Sequence, residues 1–413
     1  MRIVSGKQAE AMVERLAARS VELSALEPRV RRIVNDVRRG GDRALRRYAE
    51  KLDGLAPKQA LQVSQDEMNA AWESLAPQLK KALREAAKNI RRFCEWQKPR
   101  TWTRTHHGMS LGQRIQPLES VGCYAPGGRY PLVSTVLMTV IPALVAGVKS
   151  IRVASPKPSR EVLGTAAMLG VREFYRVGGA QAIAALAYGT ESVPRVDKIV
   201  GPGNSYVTAA KKLVSFDCAI DFLAGPTEAL IWSDEGNPEF IAADLVAQAE
   251  HDVETLCLFV TTSRKLARAV AGSVAGQARE NPTAKKSLQI RGAILVAGSR
   301  EQACEWANRL AAEHITVAEK DVASIRNAGS IFVGDYSAQA AGDYASGPNH
   351  VLPTAAQARF RGGLSVLDFV KVVTVQQLSA AGLRGIASTI ECLAGAEGLP
   401  AHANSVRVRC ERA

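Results

Sequence analysis

From residue 119 onward the chain alternates between short β-rich runs and helical stretches, and three of the runs end in a glycine-rich turn. Ser120–Tyr124 leads into Ala125-Pro126-Gly127-Gly128, Glu173–Val177 into Gly178-Gly179-Ala180-Gln181, and Asp197–Val200 into Gly201-Pro202-Gly203-Asn204. Strands that alternate with helices cannot pair as hairpins; they line up as a parallel sheet covered by helices on both faces. A second series follows, with Thr255–Thr261, Ala293–Val296, Ile315–Ala318 and Ser330–Val333 separated by helical Glu239–Glu250, Ser263–Gln277 and Arg300–Ala312. The expected fold class is therefore α/β, with two Rossmann-like α/β/α units and parallel sheets. At 413 residues the chain exceeds a single ordinary core, which agrees with several domains. We place the first unit at 119–228 and the second at 229–364. Residues 1–118 repeat apolar positions at helical spacing and show no strand-like runs, so they read as an N-terminal helical segment whose later part joins the second unit. Residues 365–413 read as a mainly helical C-terminal tail broken at Gly382, Gly385 and Pro400.

Composition narrows the function classes. Apolar residues form 46 % and charged residues 23 %, the mixture of a folded globular chain rather than a disordered one. The longest nearly apolar stretch, Leu137 to Val148, is too short to span a bilayer and contains Pro142, so no membrane partner is expected. The N-terminus lacks the apolar run of a signal peptide, which makes a cytoplasmic location the expectation. Seven scattered cysteines without a C-x-x-C pair argue against a disulfide framework. The net charge of +13 is concentrated in residues 1–118, which hold 24 Lys and Arg against 13 Asp and Glu. Those cations share helical stretches such as Val30–Tyr48 and Gln78–Trp96 with acids and alanines, without interleaved aromatics. They read as solvated helix faces, with no nucleic-acid partner.

Two sets of residues carry chemistry. Each glycine turn follows a strand and precedes a helix, which would leave backbone N–H groups and a helix N-terminus free for the phosphates of a nucleotide. None completes G-x-G-x-x-G, so a nucleotide would lie in a non-standard pose. The second set centres on histidines. His106 and His107 lie in a polar surface stretch, but Gln248 and His251 share one face of the helix ending at His251, as i, i+3 neighbours do. Farther along come Glu313-His314, Asp343, His350, Glu397 and His402. Histidine with carboxylate is common zinc chemistry, although spacing by itself does not select the ligands.

Together these residues resemble the histidinol dehydrogenase family. The resemblance runs from about Val121 to His402 through Gly122-Cys-Tyr124-Ala-Pro-Gly-Gly128, Gly178-Gly-Ala-Gln181-Ala-Ile-Ala-Ala-Leu-Ala187, Gly201-Pro-Gly-Asn204, Ala224-Gly-Pro-Thr-Glu228, Gln248-Ala-Glu-His251, Ala312-Glu-His314, Asn327-Ala-Gly-Ser-Ile-Phe332, Gly342-Asp-Tyr-Ala-Ser-Gly347 and Asn349-His-Val-Leu-Pro-Thr354. It implies an NAD-dependent oxidation of L-histidinol, via L-histidinal, to L-histidine, with one zinc ion per subunit. It implies Gln248, His251, Asp343 and His402 as zinc ligands, His314 as general base and Glu313 as the group that activates water. Glu397, His350 and Thr227 fall on substrate-contacting positions, as do the zinc ligands and His314, and Tyr124, Gln181 and Asn204 fall on NAD-contacting ones. It also implies a homodimer whose tail crosses to the partner, so that Glu397 and His402 complete the other subunit's site. Two positions depart from the family pattern: Thr227 stands for the usual serine, and Pro348 for a threonine before Asn349-His350. The alternative is a related zinc- and NAD-dependent dehydrogenase of another small alcohol, such as a sulfonated diol.

Overall fold

The computed structural model describes residues 1–127 and 131–411. The chain opens with β1 (Arg2–Ser5), α1 (Gly6–Ala17), α2 (Glu27–Tyr48), β2 (Gln62–Val63), α3 (Gln65–Ser74), α4 (Pro77–Trp96) and the hairpin of β3 (Trp102–His106) with β4 (Met109–Pro117). The first α/β series comprises β5 (Ser120–Tyr124), α5 (Val133–Ala146), β6 (Ser150–Ala154), α6 (Arg160–Met168), β7 (Glu173–Tyr175), α7 (Gly179–Tyr188), β8 (Lys198–Val200), α8 (Ser205–Val214) and β9 (Ala219–Ile220). The second comprises β10 (Glu228–Trp232), α9 (Pro238–Ala249), β11 (Leu256–Thr261), α10 (Arg264–Gln277), α11 (Pro282–Ile290), β12 (Ala293–Val296), α12 (Arg300–Leu310), β13 (His314–Val317), β14 (Ser330–Val333) and α13 (Gln339–Tyr344). The chain closes with β15 (Val370–Leu378), α14 (Ala380–Ala396) and α15 (Pro400–Glu411).

Among the described residues the two series form two six-stranded sheets, ordered β2-β7-β6-β5-β8-β9 and β1-β12-β11-β10-β13-β14. Apart from the antiparallel edge pair of β2 with β7, all pairs in both sheets are parallel. Counted from its own first strand, each series has the order 3-2-1-4-5, with one strand from the N-terminal segment added beside its third. The two units thus share a topology, and each reverses strand order between its first and fourth strands. Alternation along the strands explains the two-sided burial. On β10, Leu230 and Trp232 face the core shared with α1 and α12, whereas Ala229 and Ile231 face α9, α10 and α11. The first sheet is covered likewise, by α3 to α6 on one face and by α2, α7 and α8 on the other.

Residues 1–118 depart from the expectation of helix alone. They supply β1 and β2 as sheet edges, together with β3 and β4, which join β15 in a separate three-stranded sheet. The attachment is also reversed. The first strand and helix join the second unit, β1 pairing with β12 and α1 packing in its core, while α2, α3 and α4 pack on the first unit. The later part touches the second unit only locally, where Asn89 donates to the Ala345 carbonyl at 3.0 Å. A four-residue edge strand carries too short a pattern to stand out from an adjoining helix. The solvated-face reading of the basic stretch fits α2, which buries Val30, Ile33, Val34, Val37 and Leu45 while most of its arginines remain exposed. The tail is not wholly helical either, since β15 precedes its two helices. No described helix is long and apolar enough to cross a membrane, and all seven cysteines are free thiols.

Candidate active site

His314 opens β13 and pairs in register with Ala229 of β10 and Ser330 of β14, which buries it at the amino end of the second sheet's strands. Ala311, in the left-handed region at φ 44°, ends α12 and turns the chain into this strand. Gly329 permits the close packing behind it, since a Cβ there would lie 2.5 Å from the Glu313 carbonyl oxygen. The His314 Nδ1 lies 3.3 Å from the Glu228 carbonyl oxygen and 3.7 Å from Glu313 Oε2, and its Nε2 lies 3.4 Å from Asp343 Oδ1. Phe332 stacks on the ring at 6.0 Å. Burial by itself would lower the His314 pKa, but the Glu313 and Asp343 carboxylates outweigh it and raise it. Burial pushes the Glu313 carboxyl up, against the opposing charge of His314.

Asp343, on α13, accepts a 2.9 Å hydrogen bond from Gln248 Nε2 at the end of α9, and its backbone oxygen faces His350 Nδ1 at 2.7 Å. Burial favours its neutral form, but His314, His350 and His251 together hold its pKa below the ordinary value. Four sequence-identified residues, Glu313, His314, Asp343 and Gln248, are therefore brought together, with His350 against the same aspartate. Thr227 lies just before β10, half-buried, and donates no side-chain bond to this group. Sequence reasoning missed two supporting residues. Glu228 receives Arg19 Nε at 2.6 Å and Arg19 Nη2 on its other oxygen, accepts from Ala355 N at 2.8 Å, and donates its own N–H to Glu313 Oε2 at 2.9 Å. Glu228 lay within a quoted motif, but Arg19 had no local signal, being 209 positions away.

The donor set can be tested against a metal. Gln248 is 1 % exposed, yet its Oε1 has no hydrogen-bond donor, and His314 Nε2 is likewise without a hydrogen bond. A buried amide oxygen left without a partner next to an ionised carboxylate is unfavourable unless something positive sits there. Gln248, Asp343 and the exposed His251 thus fit a cation. Among the described residues, however, no three His, Cys, Asp or Glu side chains converge as a metal cluster. His402 on α15 and Glu397 after α14 are both exposed and make no hydrogen bond or ion pair to these groups. The single chain therefore does not bring together the full ligand set that the resemblance implies.

The glycine turns of the first unit differ from the expected phosphate cradle. Gly178 N donates to Asp53 Oδ2 at 2.9 Å, Gly179 N to the Tyr124 hydroxyl at 3.1 Å, and Gly201 N to Asp221 Oδ2 at 2.7 Å. These N–H groups are already bound by the protein's own oxygens, two of them on carboxylates, which disfavours an anion at the heads of those two turns. Asp53 also holds Gln181 Nε2 at 3.0 Å, leaving buried Gln181 Oε1 without a donor. Asp221 pairs with the buried ammonium of Lys211, which also donates to the Gly201 carbonyl at 2.9 Å. Tyr124 is buried, which pushes its phenol up to about 12 and keeps it neutral. Asn204, exposed, caps α8 by accepting from Tyr206 N and Val207 N. The Tyr124 hydroxyl thus reaches the turn that opens the helix carrying Gln181, with Asn204 at the turn after β8. The turn after β5 includes Gly128, which lies outside the described residues. Asp53 and Asp221, remote in sequence from the turns they hold, were not identifiable from sequence.

A family model described as Histidinol dehydrogenase matches residues 16–410. Histidinol dehydrogenase of Methanothermobacter thermautotrophicus is 47 % identical over 392 residues, covering 91 % of this chain and 92 % of that protein. The enzyme of the same name from Aquifex aeolicus is 44 % identical, covering 93 % of this chain and 92 % of that protein. Among solved structures, histidinol dehydrogenase from Elizabethkingia anophelis superposes with a TM-score of 0.94 at 36 % identity, covering 100 % of this chain and 98 % of the other. An acetylating aldehyde dehydrogenase from Geobacillus thermoglucosidasius, at 11 % identity and a TM-score of 0.51 over 90 % of this chain and 97 % of the other, shares the fold alone.

Proposed function

The chain belongs to the histidinol dehydrogenase family, an oxidoreductase of histidine biosynthesis acting on a CH–OH donor, and from that premise we propose how its residues divide the work. The substrate is L-histidinol, oxidised through L-histidinal to L-histidine with reduction of two NAD molecules in turn. The relatives' shared name favours histidinol over a sulfonated diol. His314 is the base: it receives the hydroxyl proton as the carbinol carbon loses hydride, and later a proton of the hydrated aldehyde. Its Nδ1, facing the Glu228 carbonyl and Glu313, is the nitrogen that keeps its proton, so Nε2 is the one that exchanges. Glu313 accepts the proton of the water that adds to the aldehyde, for which it must be ionised in its buried position.

Gln248, His251 and Asp343, with His402 of the partner subunit's tail, would hold zinc. When bound, zinc supplies a fixed anchor for the substrate's nitrogens and positive charge beside Asp343, and NAD supplies the hydride acceptor. Positive charge there would relieve the pull of Asp343 on the His314 proton, favouring the free base. His350, Glu397 and Thr227 would contact substrate, and Tyr124, Gln181 and Asn204 would contact NAD. The observation that carries this reading is the buried Gln248 Oε1, without a donor, on the side chain that binds Asp343. Its test is stoichiometry with the zinc-loaded protein: close to two NADH formed per L-histidinol, with L-histidine as product. No turnover from a zinc-loaded dimer would overturn it.

A further inference from the structure

Glu228 is an acid where a buried strand asks for an apolar residue. It opens β10, every residue of which is buried, and alternation points its side chain with Leu230 and Trp232 toward α1. A carboxylate that is 4 % exposed is unfavourable to bury and persists only with its oxygens paired. Two distant segments supply the donors. Arg19, just past α1, donates from Nε to Oε1 at 2.6 Å and from Nη2 to Oε2, and Ala355 N donates to Oε1 at 2.8 Å. Arg19 is itself fixed, its Nη1 donating to the Leu16 carbonyl at 2.7 Å.

The segment that brings Ala355 is strained. Ala355 and Ala356 lie consecutively in the left-handed region, at φ 53° and 60°, a conformation that disfavours any L-residue with a Cβ and is kept only where the surroundings impose it. Here the residues before β10 impose it. Gly225 N donates to Thr354 Oγ1 at 2.6 Å and Gln357 Nε2 to the Leu223 carbonyl at 2.6 Å, on either side of the Ala355 bond to Glu228.

What the carboxylate fixes is the backbone on both sides of its own Cα. The Glu228 N–H reaches Glu313 Oε2 at 2.9 Å and the Glu228 carbonyl faces His314 Nδ1 at 3.3 Å, so two consecutive peptide units orient the two neighbouring proton-transfer groups. Because β10 begins at this residue, the regular strand ladder holds it from one side along the chain, and the side-chain clamp holds it from the other.

We propose that Arg19 and Glu228 are a positioning pair for the reaction: their ion pair, acting through the Glu228 backbone, sets the placement of both Glu313 and His314. The inference rests on the proton-transfer roles given to those two residues above. The pair transfers no proton itself; it keeps the two groups within the roughly 0.5 Å tolerance that a productive geometry demands.

Kinetics of the zinc-loaded full-length protein test this. Wild type must oxidise L-histidinol; if it does not, the roles of Glu313 and His314 fall, and the pair's role with them. With wild type active, Arg19→Ala should lower kcat about 10- to 100-fold, the effect of a displacement of about 1 Å, while the KM for L-histidinol and the zinc content stay unchanged. The same loss should appear when L-histidinal is supplied directly, because both groups serve that step. The double variant Arg19→Ala, Glu228→Gln removes the unpaired charge and so recovers part of the thermal stability, but it restores no clamp, and its kcat should stay at least tenfold below wild type. That separation distinguishes positioning from packing, since a merely structural pair would let turnover return with stability. If Arg19→Ala does not fold, the double variant decides by itself. A double variant whose kcat lies closer than tenfold to wild type, or a loss carried by KM or zinc content instead of kcat, overturns the proposal.

Discussion

At the residue scale the candidate site is a buried proton store: one imidazole between two carboxylates, tied by Glu228 to Arg19. Replacing His314 by Asn keeps a side chain of similar polarity but removes the titratable nitrogen. Turnover of L-histidinol should fall by about 10²- to 10⁴-fold while zinc content stays unchanged. A comparable loss of zinc would show that the residue supports the metal site and not proton transfer. Arg19 acts through Glu228, whose side chain is only 5 % exposed. Arg19→Ala leaves that carboxylate without its bidentate partner and should cost roughly 3 to 5 kcal/mol in chemical denaturation, with partial recovery in the Arg19→Ala, Glu228→Gln double variant. A loss under about 0.5 kcal/mol would place the pair among ordinary surface bridges.

At the element scale, α9 and α13 meet twice, through Gln248 with Asp343 and through Asp244 with the Gln339 N–H at 3.3 Å. Burial pushes the Asp244 carboxyl up from 3.8 to about 6, the Gln339 bond opposing and the Asp343 charge adding. A folded pKa above the unfolded one means that the protonated form is the one folding favours. The contribution is complete below about pH 4 and is lost as pH rises through 6. The unfolding free energy of Asp244→Asn relative to wild type should therefore rise by about 2 kcal/mol between pH 4 and pH 7, and a flat difference would refute the assignment. The elements also show which patterns were legible. The strands of both units fell where β-rich runs alternate with helical ones, because two-sided burial makes such runs nearly continuous in apolar residues. The strands β1, β2, β3, β4 and β15 do not show in the sequence: β2 has two residues, β1 four, β3 and β15 are largely exposed and β4 is only partly buried, so no apolar run marks them. The glycine turns were found, but the capture of their N–H groups by Asp53 and Asp221 depends on residues brought in from other elements.

At the scale of the whole molecule, one chain does not bring together the ligand set that the resemblance implies. Val372, Val373, Val375 and Leu393 are exposed on the tail, which buries few of its own residues, and His402 and Glu397 point to no group of the same subunit's site. A crossed dimer would use that apolar surface and supply both residues. Its signature is complementation: His314→Asn and His402→Asn homodimers should each be inactive, whereas the mixed dimer should regain one intact site, near half the wild-type activity per dimer. A mixed dimer as inactive as its parents would refute the crossing. The sequence by itself determined the fold class, the two-unit plan and the family, because hydrophobic period, turn residues and ordered motifs are local properties written along the chain. Only the tertiary structure decided which glycine N–H groups are already spoken for and that the N-terminal strand and helix belong to the second unit. Those facts rest on contacts between residues tens to hundreds of positions apart, and no local pattern encodes which distant carboxylate will reach a given turn.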